Sequence, residues 1–273
     1  MCATVSAARR ADAELNEKWI CTKVSDMSEP MNEMRAVNGT SNDPATESAG
    51  IALRSWRDSR WLVIVELVVV ILLFVADTKH KIPFSKTPFI LAVGWISLRI
   101  RGLRWRDVGL RLYKNWVTTL GLGIAAGILM ELFELFVSQP LLTKIVGKAP
   151  DFSDFADLRG NWKLTLIFVA LAWTLAAFGE ELVYRGYLMN RVAGLVRKSR
   201  HAWLISLIVV HAGFGLAHVY QGTTGAIDEG LMGLLLGIIY LRTGRSLAVP
   251  IVAHGVSDTI DMLLFFLGKY PGT

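Results

Sequence analysis

Two adjacent carboxylates and an arginine, Glu180, Glu181 and Arg185, lie at the end of a run that is otherwise apolar, residues 164–178. Placing an ionisable side chain in a membrane-spanning apolar segment costs free energy. Such side chains are therefore usually paired, turned toward the interior of the protein and functional. Glu181 and Arg185 stand four residues apart, which is the spacing of an ion pair on one helix face. Glu180 is rotated about 100° from that pair. We therefore predict a structural Glu181–Arg185 pair and a chemical role for Glu180; the alternative is a helix end whose charges reach the membrane interface.

Later apolar segments contain further polar side chains at helical spacing. Phe214 and His218 are four residues apart, and so are His254 and Asp258. Each pair is predicted to lie on one helix face. A histidine in an apolar helix is often only a hydrogen-bonded packing residue, and an aspartate can simply pair with a neighbouring histidine. A glutamate, two histidines and an aspartate on three apolar helices are instead expected to share one polar cavity.

Such a set of side chains can hydrolyse a peptide bond. A carboxylate and an imidazole near one water can remove its proton and direct the oxygen at a carbonyl. A second imidazole and a carboxyl group can donate hydrogen bonds to the developing oxyanion. Alternatively, Glu180, His218 and His254 are three ligands of a catalytic zinc ion with an open fourth position. The spacing alone does not choose between these two chemistries.

The elements that must position these residues are apolar helices. Hydrophobic residues make up 53% of the 273-residue chain, above the roughly 45–50% of a soluble domain, and several blocks approach the about 20 residues that a span needs. The pattern predicts an all-α, multi-pass transmembrane bundle whose later helices enclose the polar site. Residues 139–161 are predicted to be a polar connection, and Asp228 and Glu229 a polar turn. About seven spans are predicted, at residues 61–76, 88–98, 116–137, 162–190, 203–220, 230–241 and 247–267.

Basic residues lie between the apolar runs and are densest at residues 99–114. Lysine and arginine in short loops mark the cytoplasmic side. With this loop inside, the basic loops at 191–202 and 242–246 also fall inside, and the acidic segments at 151–157 and 228–229 fall outside. The net charge of +6 thus reflects topology, and the sequence contains no nucleic-acid motif. We predict a multi-pass protein of a bacterial plasma membrane with a cytoplasmic N-terminus.

The N-terminal segment differs from the rest of the chain. Residues 1–55 are polar and mixed in charge, which predicts a disordered tail, and residues 56–273 form the predicted transmembrane domain. Both cysteines, Cys2 and Cys21, lie in this tail. We therefore expect neither a disulfide framework nor a thiolate metal site in the membrane part.

Three motifs follow one another on successive apolar segments, and their order resembles the CPBP family of intramembrane proteases. This family includes the type II CAAX prenyl proteases and bacteriocin-processing or immunity relatives. The resemblance extends over about residues 100–268 and includes the segments at 105–110 and 244–247. The motifs are Glu180-Glu181-x-x-x-Arg185, Phe214-x-x-x-His218 and His254-x-x-x-Asp258.

The resemblance implies an endopeptidase whose site lies inside the membrane. By motif position, Glu180 is implied to be the general base, and His218 to help hold the attacking water. His254 and Asp258 are implied to stabilise the oxyanion. Glutamate-activated water without a cofactor is the favoured interpretation, and zinc is the alternative.

Three more residues are implied to support the site, namely Glu181, Arg185 and Phe214. One catalytic position departs from the family pattern, because Asp258 stands where many members carry asparagine. An ionised aspartate would repel an oxyanion. Asp258 must therefore be protonated to act as a donor, or it must act by orienting His254.

The expected partners are the lipid bilayer and a peptide or membrane-protein substrate, either a prenylated CAAX tail or another peptide, and no nucleic acid. The oligomeric state is not predicted.

Two other functions stay open. A non-catalytic membrane partner, such as an immunity protein, would keep the motifs for structure. A proton-coupled transporter would use buried carboxylates as a proton relay, namely Glu131, Glu134, Glu180 and Asp261. Many transporters show internal symmetry, which the two halves of this chain lack.

Overall fold

Seven helices of ten or more residues, and no strand, occur in the part of the chain that the computed structural model describes, residues 56–57, 59–83, 85–197 and 199–271. Five of them are long and apolar enough to cross a membrane, whereas α2 and α5 are shorter. The all-α bundle of about seven spans is confirmed, while the predicted tail, residues 1–55, lies outside the described residues. The helices are α1 (Arg60–Thr78), α2 (Thr87–Ile100), α3 (Trp116–Val146), α4 (Trp162–Leu195), α5 (Ala202–Leu216), α6 (Gly222–Arg242) and α7 (Ala248–Leu267).

The outer surface of the bundle is apolar. Val65, Ile71 and Leu72 on α1 are each more than half exposed, as are Phe136 on α3 and Leu166 on α4. Soluble monomers rarely expose apolar surface on this scale, whereas lipid tails are a suitable surrounding for it. The chain is a multi-pass membrane protein.

Helix α3 is longer than predicted. The predicted span ended at residue 137, before Pro140. A proline inside a regular helix removes a hydrogen bond and clashes with the preceding turn. In the structure, the segment Glu134–Ser138 widens into a π-helical turn, and the regular helix resumes as Gln139–Val146 with Pro140 in its first turn. The prediction of a polar connection from residue 139 is therefore wrong for its first eight residues. The remainder includes a short 3-10 helix, Ser153–Leu158.

The junction between α5 and α6 also differs from the prediction. Helix α5 ends at Leu216 and not near residue 220, while α6 begins at Gly222, so Asp228 and Glu229 lie inside a helix and not in a turn. Their polarity does not indicate solvent, because other side chains bond to them. Ser138 Oγ donates to Asp228 Oδ1 at 2.6 Å, and Gln221 Nε2 donates to Glu229 Oε1 at 3.1 Å.

Helices α5 and α6 pack closely through glycines, as small residues permit. A Cβ atom on Gly237 would collide with the His211 ring and lie 2.5 Å from Leu207 Cδ1, and one on Gly233 would lie 2.8 Å from Phe214 Cδ1. His211 is buried in this contact, where its Nδ1 donates to the Leu207 carbonyl at 2.6 Å. His211 is therefore a packing residue.

We expect Gly237→Ala to destabilise the protein by about 1–3 kcal/mol, the usual cost of overpacking, although alanine favours a helix over glycine by about 1 kcal/mol. Thermal unfolding in detergent measures the effect. Gly121→Ala is the matched control, because a Cβ atom there meets nothing within 4 Å. An unfolding temperature of Gly237→Ala at or above that of the unmodified chain would contradict this packing.

At one end of the bundle, two connections are joined by hydrogen bonds. The 3-10 helix Trp105–Val108 lies against the turn that joins α6 to α7. Tyr240 Oη donates to the Val108 carbonyl at 2.9 Å, and the Leu247 backbone N–H donates to the Gly109 carbonyl at 2.8 Å. Both of these donating residues are fully buried.

Candidate active site

The four side chains predicted to be catalytic line one cavity of about 390 Å³. Glu180 lies on α4, His218 follows the end of α5, and His254 and Asp258 lie on α7. The structure therefore brings the predicted residues to one shared polar space. Their chemical roles stay predictions.

Glu180 occupies an irregular part of α4. The segment Ala172–Leu188 is a π-helix of 17 residues, and π-helical turns occur frequently at functional sites. In this segment the side chain of Glu181 is fully buried, whereas Glu180 is half-buried and lines the cavity. No other described side chain makes a hydrogen bond to the Glu180 carboxylate. That carboxylate is therefore available to a water molecule or a substrate.

The predicted ion pair between Glu181 and Arg185 is confirmed, with 2.7 Å between Arg185 Nη1 and Glu181 Oε1 and both side chains fully buried. Arg185 Nη2 also donates to the Gly233 carbonyl at 2.7 Å, and its guanidinium lies 5.2 Å from the centre of the Phe214 ring. The same oxygen of Glu181 lies 3.0 Å from His254 Nδ1. The pair therefore joins α4 to α6 and also orients the imidazole on α7.

The two histidines are each held through Nδ1. His218 Nδ1 lies 2.9 Å from the Phe214 carbonyl, which can only accept, so Nδ1 carries a hydrogen and Nε2 has the lone pair of the neutral ring. The prediction that Phe214 and His218 share a continuous helix is wrong, because α5 ends between them, yet this bond keeps them together. On α7, His254 Nε2 lies 3.6 Å from Asp258 Oδ1. Both Nε2 atoms are therefore free of short hydrogen bonds to described side chains.

Further carboxylates face the interior of the bundle. Glu134 and Asp261, which the relay hypothesis includes, line the cavity, and so does Glu229. Glu131 is buried and accepts a hydrogen bond from Ser257 Oγ at 2.8 Å. Sequence reasoning missed Glu229 as a site residue because it assigned that position to a turn.

An aromatic wall of four phenylalanines lines the same cavity. Phe155 and Phe265 stack with 5.0 Å between ring centres, Phe152 packs edge-on against Phe265, and Phe168 completes the wall. These phenylalanines were not predicted from the sequence to be site residues. The only local signal was a pair of phenylalanines three residues apart in a segment that is otherwise polar.

Tyr270, just beyond the end of α7, also lines the cavity. Burial, together with the nearby Asp261 and Glu134, raises the pKa of the Tyr270 hydroxyl above its ordinary value. The hydroxyl therefore stays protonated at physiological pH. It accepts a hydrogen bond from Gln139 Nε2 at 3.0 Å, which ties the end of α7 to α3.

A smaller chamber adjoins the cavity and shares part of its lining. Its volume is about 40 Å³, whereas a water molecule needs roughly 10–15 Å³ by this kind of measure and several polar partners. The chamber is thus large enough and polar enough for water. Its polar lining consists of Glu134, Glu229, His254, Ser257, Asp258 and Asp261.

The zinc alternative requires Glu180, His218 and His254 to converge on one point. Within the described ranges, no group of three or more histidine, cysteine, aspartate or glutamate side chains is arranged to hold a metal ion. These three residues share a cavity but do not form a ligand set, so we derive no catalytic step through a metal.

Comparison with known proteins finds a similarity to one protein family. Residues 161–260 match the family model described as "Type II CAAX prenyl endopeptidase Rce1-like", and this range contains the four candidate residues in their motif order. This match supports the resemblance to the CPBP family over that part of the chain. No curated protein and no solved structure is significantly similar to the chain. The matched family consists of CAAX-type proteases, which supports a protease activity for this chain at the family level.

Proposed function

We propose that this protein is an intramembrane endopeptidase of the CPBP type, in which Glu180 and His218 activate a water molecule. One observation carries the proposal: an unpaired carboxylate, Glu180, and an imidazole with a free lone pair, His218, line the same cavity. The protease core is proposed to extend over about residues 100–268. The membrane is proposed to be a bacterial plasma membrane.

In the proposed reaction, Glu180 removes a proton from the water while the oxygen attacks the carbonyl carbon of the scissile bond. His218 Nε2 accepts a hydrogen bond from the same water and so fixes its direction. The Phe214 carbonyl holds the ring of His218 in the required tautomer. Glu180 then returns the proton to the leaving nitrogen, and the C–N bond breaks.

The oxyanion of the tetrahedral intermediate is proposed to bind at His254. Glu181 accepts from Nδ1 of this ring, so Nε2, when it carries a hydrogen, donates to the oxyanion. Removal of one such donor typically costs about 2.7–4 kcal/mol of transition-state stabilisation. Asp258, 3.6 Å from Nε2, donates when protonated or orients the ring when ionised.

The aromatic wall supports a preference for substrates with an apolar residue beside the scissile bond, because Phe152, Phe155 and Phe265 offer an apolar surface within the same cavity. A CAAX-type tail meets this requirement. So does any membrane-associated peptide with an aliphatic residue at that position.

The test is cleavage of a peptide panel by the purified protein in detergent, with and without a strong chelator and with bound metal measured. The panel contains prenylated and plain C-terminal peptides and internal sequences. We expect cleavage that resists the chelator in a preparation without stoichiometric metal, because Glu180 and not a metal activates the water.

Two results would contradict this expectation. Chelator-sensitive cleavage with about one zinc per chain would make Glu180, His218 and His254 metal ligands. Cleavage of no peptide at all would favour the non-catalytic membrane partner.

A further inference from the structure

A small notch lies at the end of α2, apart from the cavity that holds Glu180. Its volume is about 70 Å³, several times what one water molecule needs by this kind of measure. Two arginines, two tryptophans and two leucines form this arginine notch, and the cavity lining includes none of them. They are Trp95, Leu98, Arg99, Leu103, Arg104 and Trp105.

The backbone at the end of α2 fixes the shape of the arginine notch. Gly102, with a φ of 69°, turns the chain back, so that the Leu103 N–H donates to the Leu98 carbonyl at 2.8 Å. Trp105 then packs against α2, where a Cβ atom on Gly94 would lie 3.2 Å from Trp105 Cη2. The turn and the tryptophan therefore hold the residues on either side of the notch in place.

The two guanidinium groups of the notch are not neutralised by the protein. Arg99 and Arg104 are exposed, and neither forms an ion pair with a carboxylate in the ranges that the structure describes. Arg101, between them in sequence, is instead paired with the buried Glu66. The nearby Asp107 carboxylate accepts from the backbone N–H of Arg104 at 2.7 Å. The notch therefore presents two positive charges.

An apolar stripe on α2 leads to the notch. Phe89, Ala92, Ile96 and Arg99 lie on one helix face at helical spacing, and all four are exposed. The ten-residue interval from Phe89 to Arg99 measures about 15 Å, which is half of the roughly 30 Å hydrocarbon thickness of a bilayer. The stripe therefore matches the acyl chain of a lipid in one leaflet, with the arginines at the level of its headgroup. Trp95, which is 49% exposed, suits the same interface.

We infer that the arginine notch binds the phosphate of an anionic phospholipid whose acyl chain lies along the stripe of Phe89, Ala92 and Ile96. The planar fork of an arginine matches the oxygens of a phosphate, and basic pockets on membrane proteins bind anionic headgroups. A zwitterionic lipid brings its own cation next to the two arginines and therefore binds more weakly. The binding site does not depend on the proposed peptide cleavage.

Thermal unfolding in a neutral detergent tests the site. The probes are dioleoyl phosphatidylglycerol and dioleoyl phosphatidylcholine, which have the same chains, and inorganic phosphate at the same concentration. We expect phosphatidylglycerol to raise the unfolding temperature by about 2–4 °C more than either of the other two. Native mass spectrometry of the same samples is expected to show phosphatidylglycerol retained on the protein.

The variant Arg99→Gln/Arg104→Gln should lose this additional shift and the retained lipid. The matched control is Arg60→Gln/Arg106→Gln, which removes the same charge from exposed positions outside the notch and should keep both. Each variant is compared with its own unfolding temperature in plain detergent, so that a change in basal stability does not imitate lost binding. A second variant, Arg99→Lys/Arg104→Lys, keeps both charges without the planar fork and should show a smaller shift.

Three results would overturn the inference. An equal shift with phosphatidylcholine would show that the notch does not select an anionic lipid, and an equal shift with inorganic phosphate would make it a site for the free ion. An equal loss in the control would assign the effect to the overall positive charge of the protein and not to the notch.

Discussion

Replacement of Glu180 by glutamine is expected to reduce peptide cleavage by a factor of about 10²–10⁴, the usual contribution of a general base. The amide has nearly the same shape but cannot accept the proton of the attacking water. Because the carboxylate makes no hydrogen bond with another described side chain, the substitution should leave the fold intact. The measurement is kcat/KM on the best peptide of the panel, together with the unfolding temperature in detergent.

The matched control is Asp157→Asn, which removes an exposed carboxylate from the 3-10 helix after α3. It should cleave like the unmodified chain. If Glu180→Gln also cleaves normally, the assigned base is wrong. If Glu180→Gln instead abolishes an ion flux in reconstituted vesicles, the transporter hypothesis regains support.

Arg185→Leu is expected to destabilise the protein by about 3–5 kcal/mol, the cost of breaking a buried ion pair. The substitution leaves the Glu181 carboxylate without its cation and the Gly233 carbonyl without its donor. Both side chains of the pair are fully buried, so water cannot replace the lost partner. Thermal or denaturant unfolding in detergent measures the loss.

The double variant Glu181→Leu/Arg185→Leu separates stability from activity. Replacing both partners by apolar residues of similar size is often neutral or even stabilising, so much of the stability should return. Cleavage should stay low, because His254 Nδ1 has lost the oxygen that orients it. A double variant that regains activity with stability would show that Glu181 does not position His254.

The local sequence predicts which segments form helices better than it predicts where those helices end. Apolar blocks predict seven helices because a helix in lipid must be apolar over about 20 residues, and all seven are present. Their ends depend on distant partners. Pro140 falls inside α3 because a π-helical turn precedes it, and Glu229 falls inside α6, where Gln221 bonds to it.

The candidate site, like the helices, could be predicted only in part from the local sequence. Spacing of four residues on one chain predicts the Glu181–Arg185 pair, because that contact is made within one helix. The order of the three motifs indicates the family, and the expectation of a shared cavity follows from the cost of scattered charges in lipid. The aromatic wall at Phe152 and Phe155 has no such local signal, because these rings meet the rest of the cavity only after α3, α4 and α7 have packed.

What the sequence by itself determined is therefore the set of candidate side chains and the distribution of charge between the apolar blocks, since both are properties of residues and of short intervals between them. Only the tertiary structure decided that Glu180 lines the cavity while Glu181 is buried against Arg185 and His254. Those facts depend on how seven helices surround a common space, and no single helix contains that information.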